Sequence, residues 1–190
     1  MVRPSFSILL TLPSPINQPQ SRAAQTCGDP SDAVLLFQSF NSATVDYFYT
    51  TGAADVNGLF QSGTGTYTFQ GSAGFVFVTQ EESTVPFYRL HKTVSNGNAV
   101  QDVNFWTINT TEVNVAVQQG FDSDLSDPAI YIYPTEICGA VPFYRVFNSG
   151  AQANFYTTSE SERLEFIANM GYNDMGIAGY IYPLMVTQCN

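Results

Sequence analysis

The stretch at residues 141–183 reads VPFYRVFNSGAQANFYTTSESERLEFIANMGYNDMGIAGYIYP, and it contains the pattern that decides the fold. Its first five letters, VPFYR, occur unchanged at residues 85–89, and VLLFQ takes their place at residues 34–38. FYTT at residues 155–158 likewise has the counterpart FWTI at residues 105–108. Self-similarity that returns after about 50 residues predicts a domain built of repeated supersecondary units.

Each repeat carries signals for the same order of elements. VPFYRVF has the alternation of a strand, NSGAQA is a turn cluster, and NFYTT returns as the second strand of a hairpin. Ser159 and Glu162 have the spacing of a capping box that opens a helix, and Gly171 is placed to end it. AGYIYP then supplies a third strand. The helix side chains predicted to face the core are Leu164, Ile167 and Ala168.

The helices of the other two repeats are predicted with different strength. In the second repeat, Asn109 and Glu112 form the opening signal, Val113 and Val117 form the core-facing stripe, and Gly120 ends the helix. In the first repeat, glycines interrupt the segment and predict a short or broken helix. These glycines are Gly58, Gly63 and Gly65.

We therefore predict an α+β fold, mostly β, in which residues 25–190 form a single domain of three strand–strand–helix–strand repeats. The repeats span about residues 33–83, 84–139 and 140–190. A unit of this size cannot bury its apolar face alone, so neighbouring units must cover it. An open stack would leave two apolar ends, and no capping sequence is evident. We expect closure about a pseudo-threefold axis.

The charge balance excludes several classes of partner. Lys and Arg number 6 against 16 Asp and Glu, which gives a net charge of −10. Nucleic acid and anionic membrane surfaces both require a basic face, so neither is an expected partner. The single histidine, His91, cannot form a two-histidine metal site, and it lies beside Lys92 with no GxSxG motif in the chain. We predict no catalytic residue, metal or cofactor.

The first 24 residues differ from the rest of the chain. Arg3 is followed by a short apolar stretch at residues 6–12, and the small residues Ala23 and Ala24 provide a cleavage position. This is the outline of a secretory signal peptide, and the alternatives are a disordered leader or a mispredicted first exon. We expect an extracellular protein. The sequon at Asn109 fits that compartment as a glycosylation site, although one sequon arises easily by chance.

Three cysteines are available for a disulfide bond. Cys27 and Cys138 are each followed by glycine, and each stands just before a repeat. A secreted chain would oxidise such a pair, so we favour a bond between these two. The pairing of Cys27 with Cys189 stays open as the alternative.

One acidic segment invites comparison with calcium sites. Asp122, Asp124 and Asp127 supply carboxylates at close spacing, which are the hard oxygen ligands that Ca²⁺ requires. The glycine and the final glutamate of an EF-hand loop are missing, and the other repeats lack the cluster. We favour a solvated acidic loop.

The aromatic residues of the returning strands form two sets. Phe48, Phe105 and Phe155 share one register, so their neighbours Tyr49, Trp106 and Tyr156 point to the opposite face. An aromatic face beside planar donors is how proteins hold sugars. The alternative is that these rings fill the centre with their polar ends hydrogen-bonded. The candidate ligand-binding residues are Tyr49, Trp106, Tyr156, Arg89, Arg145, Asn104 and Asn154.

The pattern of VPxYR, FYTTS, Gly-Tyr and AGYxxP resembles a repeat domain of unknown function found in secreted fungal and bacterial proteins. The resemblance covers about residues 27–183 and implies a binding role attached to cell-wall enzymes, with no catalytic residues to carry over. Relatives usually have histidine before FYTT, where this chain has Tyr47, Asn104 and Asn154. Met175 also replaces the usual glutamate before Gly176.

Three hypotheses about function follow. The leading one is a secreted, non-catalytic module that binds carbohydrate or cell-wall polymer at up to three related sites. The second is a secreted hydrolase with one site in the second repeat, which holds His91 and Trp106. The third is an effector or structural protein whose acidic surface meets a basic protein partner.

Overall fold

Three antiparallel sheets, each with one helix beside it, make up the computed structural model, which describes residues 26–61, 67–96, 99–123 and 130–184. The described chain is mostly β. The proposed signal segment and Cys189 lie outside these residues, as do Gly63, Gly65, Asp124 and Asp127.

The first sheet has its earliest strand at the centre. Strand β1 (Val34–Asn41) pairs with β2 (Asp46–Thr50) on one side and with β3 (Tyr67–Val76) on the other. Helix α1 (Ala53–Gln61) packs on all three strands. Gly58 therefore lies within a nine-residue helix, which is as short as predicted and is not broken at that glycine.

The second sheet has the same arrangement around its first strand. The long strand β4 (Val85–Asn96) pairs with β5 (Ala99–Thr107) along one edge. Helix α2 (Thr110–Gln118) follows, and two short strands, β6 (Asp122–Ser123) and β7 (Ile130–Ile132), pair with β4 along its other edge.

The third sheet repeats the order with a longer last strand. Strand β8 (Val141–Asn148) lies between β9 (Ala153–Thr157) and β10 (Asn173–Ile181). Helix α3 (Glu160–Asn169) connects β9 to β10 and packs on all three strands of the sheet.

Backbone bridges join every pair of sheets at the ends of their last strands. Each bridge consists of two hydrogen bonds with N···O distances between 2.7 and 3.1 Å. The bridged pairs are Phe75 with Tyr182, Phe77 with Tyr131, and Tyr133 with Tyr180. The close approach requires glycine at Gly74, because a Cβ there would lie 2.6 Å from the Tyr182 carbonyl oxygen.

The cysteine pairing favoured from the sequence is confirmed. Cys27 and Cys138 form a disulfide bond with a Cα–Cα distance of 5.7 Å. It ties the chain ahead of β1 to the segment ahead of β8. Among the described residues, no helix has the length and apolar character needed to cross a bilayer.

The helix ends follow the sequence signals. The Asn109 side-chain oxygen accepts hydrogen bonds from the Thr111 and Glu112 backbone nitrogens, and the Ser159 hydroxyl accepts one from the Glu162 nitrogen. Gly120 and Gly171 follow α2 and α3 with positive φ angles of 83° and 72°.

The predicted core-facing side of α3 is right for Ile167, which is partly buried against the core, and wrong for Leu164 and Ala168. Leu164 is 54 % exposed, and Phe166 is the buried residue of this helix. The Phe166 ring stacks on Phe155 at a centroid distance of 3.9 Å, and this contact sets the rotation of the helix about its axis. In α2 the predicted Val113 is buried, but Val117 is exposed because Ala116 takes the second core position.

Candidate functional site

The three aromatic residues predicted to face a ligand lie inside the protein. Tyr49 and Trp106 are each 4 % exposed and Tyr156 is 1 % exposed, so they do not form the exposed aromatic face that was predicted. Strand alternation correctly placed them opposite the phenylalanines, but their face of each hairpin meets the other two hairpins. The alternative of a filled centre describes the observed packing.

Tyrosine hydroxyls connect the three hairpins at this centre. The Tyr49 hydroxyl donates to the Tyr156 carbonyl oxygen at 3.1 Å and accepts from the Tyr156 nitrogen at 2.9 Å. The Tyr156 hydroxyl makes the same two bonds to the backbone of Trp106, at 2.8 and 2.7 Å. Burial raises the pKa of Tyr156 to about 12, so this hydroxyl keeps its proton at physiological pH.

The four polar candidates hold neighbouring hairpins together. The Arg145 Nε donates to the Asn154 side-chain oxygen at 2.8 Å, and the Asn154 amide donates to the Asn104 carbonyl oxygen at 2.9 Å. Arg89 donates to the Asn104 side-chain oxygen at 2.8 Å and lies over the Phe48 ring. Arg145, Asn104 and Asn154 are each less than 10 % exposed, which removes them from direct contact with a large ligand.

A buried carboxyl group completes the network around Asn104. The Asp46 oxygens accept hydrogen bonds from the Asn104 amide and from the Tyr67 hydroxyl. Asp46 is 5 % exposed, and desolvation raises the pKa of its carboxyl group above 3.8 despite these bonds.

A narrow cleft separates the second sheet from the third, and an ion pair crosses it. The Arg145 Nη1 donates to a Glu112 carboxylate oxygen at 2.6 Å, and the guanidinium lies over the Phe105 ring at 4.6 Å. The ion pair lines a cavity of about 290 Å³ that includes Phe105 and, separately, one of about 150 Å³. We call the smaller one the Arg145 cleft. Its other lining residues include Thr107, Ile108, Asn109, Met175 and Ile177.

A larger cleft separates the third sheet from the first. Its volume is about 510 Å³, and we call it the Gln38 cleft. Six of its lining residues carry hydroxyl or amide side chains: Gln38, Gln70, Ser72, Thr157, Thr158 and Ser159. The remaining lining residues are Glu162, Ala73, Tyr156, Pro183 and Leu184.

Strand register shows that the two clefts correspond. Arg145 is the partner of Tyr156 on β9, and Gln38 is the partner of Tyr49 on β2. The partner of Arg145 on β10 is Gly176, and the partner of Gln38 on β3 is Gly71. Both glycines have positive φ, of 83° and 121°, beside a register shift. Gln38 therefore stands where the other cleft has its arginine.

The carboxylates of the two clefts also correspond, but they have different partners. Glu112 and Glu162 each lie five residues after the threonine that ends the returning strand, Thr107 and Thr157. Glu112 reaches across its cleft to Arg145. Glu162 instead accepts a hydrogen bond from the hydroxyl of Thr157, at 2.5 Å.

An apolar depression adjoins the Gln38 cleft and shares Pro183 with it. Phe75 and Tyr182 are paired across the bridge between β3 and the end of β10, so their side chains lie on the same face. Both rings are partly exposed. Together with Pro30 and Ala33 they form what we call the aromatic shelf.

Only one edge of this site was predicted from the sequence. Of the predicted residues, Tyr156 lines the Gln38 cleft, Trp106 and Arg145 line the Arg145 cleft, and the other four line neither. The signal for Gln38 was present, because VLLFQ has glutamine where VPFYR has arginine. Asn109 is exposed, but its side-chain oxygen caps α2. His91 is exposed on β4, opposite Asn104.

The chain belongs to the family described as domain of unknown function DUF5648, whose model matches residues 18–121 and again residues 95–182. Two matches to one model are consistent with a repeated domain. No curated protein and no solved structure matches the chain.

Proposed function

We infer that the three sheets are copies of one unit closed about a pseudo-threefold axis. Each sheet has its first strand at the centre, and the three bridges connect the last strands in a cycle. Strands β2, β5 and β9 each contact the other two, as such an axis requires. The matching register of Arg145 and Gln38 supports the same arrangement.

We propose that the protein is a secreted, non-catalytic module that binds carbohydrate or cell-wall polymer in the Gln38 cleft. The observation that carries this proposal is the lining of the cleft by hydroxyl and amide groups over a volume of about 510 Å³. Sugar hydroxyls need such donors and acceptors at fixed positions. The adjoining aromatic shelf has two partly exposed aromatic residues, Phe75 and Tyr182, against which the CH groups of a neighbouring sugar would pack.

We propose one such site, where the sequence predicted up to three related sites. The Arg145 cleft is occupied by its own guanidinium, so its polar groups are already satisfied.

The number of carboxyl groups at the site favours a binding function over a hydrolytic one. Glycoside hydrolysis uses two carboxyl groups about 5–10 Å apart. Among the described residues that line the Gln38 cleft, Glu162 is the sole carboxylate. We therefore place the hydrolase hypothesis second. Secretion is supported by the Cys27–Cys138 disulfide, because such bonds persist in oxidising compartments.

A pull-down of the full chain with insoluble polysaccharides tests the proposal. Chitin, β-glucan, mannan and peptidoglycan cover the common cell-wall polymers. The diagnostic variant is Gln70→Met with Ser72→Ile, which removes two polar groups from the Gln38 cleft. Methionine and isoleucine already occupy the corresponding positions 175 and 177, where both are about half exposed, so the fold tolerates them.

The matched control is Met175→Gln with Ile177→Ser, the same exchange made in reverse in the Arg145 cleft. We expect the Gln70 and Ser72 variant to weaken polymer binding at least about tenfold and the control to bind as the unmodified protein does. If the Gln70 and Ser72 variant binds the polymer as tightly as the control and the unmodified protein do, the binding site does not lie in the Gln38 cleft. No binding to any of the four polymers would overturn the proposed function.

A further inference from the structure

We propose that the ligand of the Gln38 cleft carries a protonated amino group that pairs with Glu162, as in a de-N-acetylated amino-sugar polymer. This inference rests on the proposed function and names its substrate class. Four observations support it: the ion pair of the Arg145 cleft, the lack of a cation in the Gln38 cleft, the net charge, and the size and lining of the Gln38 cleft.

In the Arg145 cleft, the carboxylate has a cation as its partner. Glu112 there binds the Arg145 guanidinium at 2.6 Å, with the donor held in place by Asn154 and by the Phe105 ring. A carboxylate at this position in the first turn of a helix therefore binds a cation, although the positive end of the helix dipole lies close by.

The Gln38 cleft keeps the carboxylate and lacks the cation. Gln38 occupies the strand position of the arginine, and none of the described residues lining this cleft is positively charged. Glu162 is exposed and accepts a hydrogen bond from the Thr157 hydroxyl. A ligand cation would form in this cleft the pair that Arg145 forms in the other.

The overall charge favours the approach of a cationic polymer. The net charge of −10 produces a negative potential around the molecule, which raises the local concentration of cations and their association rate. A neutral polysaccharide would gain nothing from this charge.

The size and lining of the cleft favour an amino sugar over an arginine side chain. The Arg145 guanidinium lines two separate cavities of about 290 and 150 Å³, whereas the Gln38 cleft is a single space of about 510 Å³. Its hydroxyl and amide groups match several sugar hydroxyls at once, while a guanidinium only donates hydrogen bonds. The aromatic shelf extends the surface for a further ring.

Calorimetric titration with soluble hexamers of glucosamine, N-acetylglucosamine and glucose tests the inference, at a pH where the free amine is protonated. We expect the glucosamine hexamer to bind at least about tenfold more tightly than the other two. Glu162→Gln should abolish that preference, and Glu160→Gln, which removes the same charge from an exposed position on α3, should retain it.

A second variant supplies the cation from the protein. Gln38→Arg should place a guanidinium beside Glu162, as in the Arg145 cleft, and should weaken glucosamine binding at least about tenfold. Asn114→Arg adds the same charge at an exposed position of α2 and should leave most of the binding intact.

The results separate this inference from the proposed function. Equal affinity for the three hexamers, with no effect of Glu162→Gln, would overturn the inference and leave the polysaccharide module standing. Absence of binding to every hexamer and every insoluble polymer would overturn both. Binding of an arginine-rich peptide through Glu162, without binding of any sugar, would overturn the amino-sugar inference in favour of a basic protein partner.

Discussion

Arg145 on β8 donates to the Glu112 carboxylate on α2 at 2.6 Å, and this ion pair closes one of two corresponding clefts. The guanidinium is mostly buried, and its Nε donates to the Asn154 side-chain oxygen. In the corresponding cleft Gln38 replaces the arginine, and the space stays open. The exchange of arginine for glutamine at the last position of VPFYR therefore distinguishes a structural contact from a candidate binding site.

Loss of the Glu112 charge should destabilise the fold. Glu112→Gln leaves the mostly buried Arg145 guanidinium without its counter-ion, and we expect the free energy of unfolding to fall by about 1–3 kcal/mol. Urea unfolding followed by tryptophan fluorescence measures this change. Glu165→Gln, on the exposed side of α3, is the control and should change the value by less than about 0.5 kcal/mol.

The Tyr156 hydroxyl should contribute strongly to stability. Tyr156→Phe removes the group that binds both the nitrogen and the carbonyl oxygen of Trp106, and it leaves these buried backbone groups unsatisfied. We expect a loss of about 2–4 kcal/mol. Tyr144→Phe removes a hydroxyl from a half-buried ring outside the centre and serves as the control. Equal losses for the two variants would contradict the assigned role of the central hydroxyl.

Asp46 should make stability fall as pH rises. Desolvation raises the pKa of this carboxyl group above 3.8, so the folded state holds its proton more strongly than the unfolded state does. Its ionisation therefore costs stability between pH 3.8 and the raised pKa. Asp46→Asn keeps an acceptor for Asn104 and removes the ionisation. We expect the variant's stability, relative to the unmodified protein, to rise across this pH interval.

A second variant tests the contribution of Tyr67, which opposes the effect of desolvation on the pKa of Asp46. The Tyr67 hydroxyl donates to the Asp46 carboxylate and lowers the pKa of Asp46, although desolvation outweighs it. Tyr67→Phe should raise that pKa further, so the pH interval of declining stability should extend upwards. Urea unfolding at a series of pH values measures both variants. An unchanged interval would contradict this account of Asp46.

The disulfide should be a large contributor to stability. Cys27 and Cys138 are 111 residues apart in the chain, so their bond restricts the unfolded state over a long loop. We expect Cys27→Ser with Cys138→Ser to cost about 3–5 kcal/mol. Thermal unfolding of this variant should match that of the reduced protein. Labelling of Cys27 and Cys138 by a thiol reagent in the native, non-reduced chain would contradict the pairing.

Local elements could be predicted from the sequence because their signals are local. Strand alternation and turn residues identified the hairpins, and Asn109, Ser159, Gly120 and Gly171 marked the helix ends. The rotation of α3 could not be predicted, because the stacking of Phe166 on Phe155 depends on where the helix docks.

The site could not be predicted because it lies between sheets. Alternation showed that Tyr49, Trp106 and Tyr156 share a face, but only the packing of the hairpins shows that this face is the centre. Gln38 and Glu162 are distant in the chain, and the deviation of VLLFQ from VPFYR gained meaning only when the clefts were compared.

The central claim is that the Gln38 cleft is the binding site, and backbone amide chemical shifts test it most directly. A labelled full chain would be titrated with the oligosaccharide selected by the calorimetric and pull-down experiments. The account predicts that the largest shifts occur at Gln70, Ser72, Thr158 and Ser159. Shifts concentrated instead at Met175, Ile177, Ile108 and Asn109, in the Arg145 cleft, would contradict it.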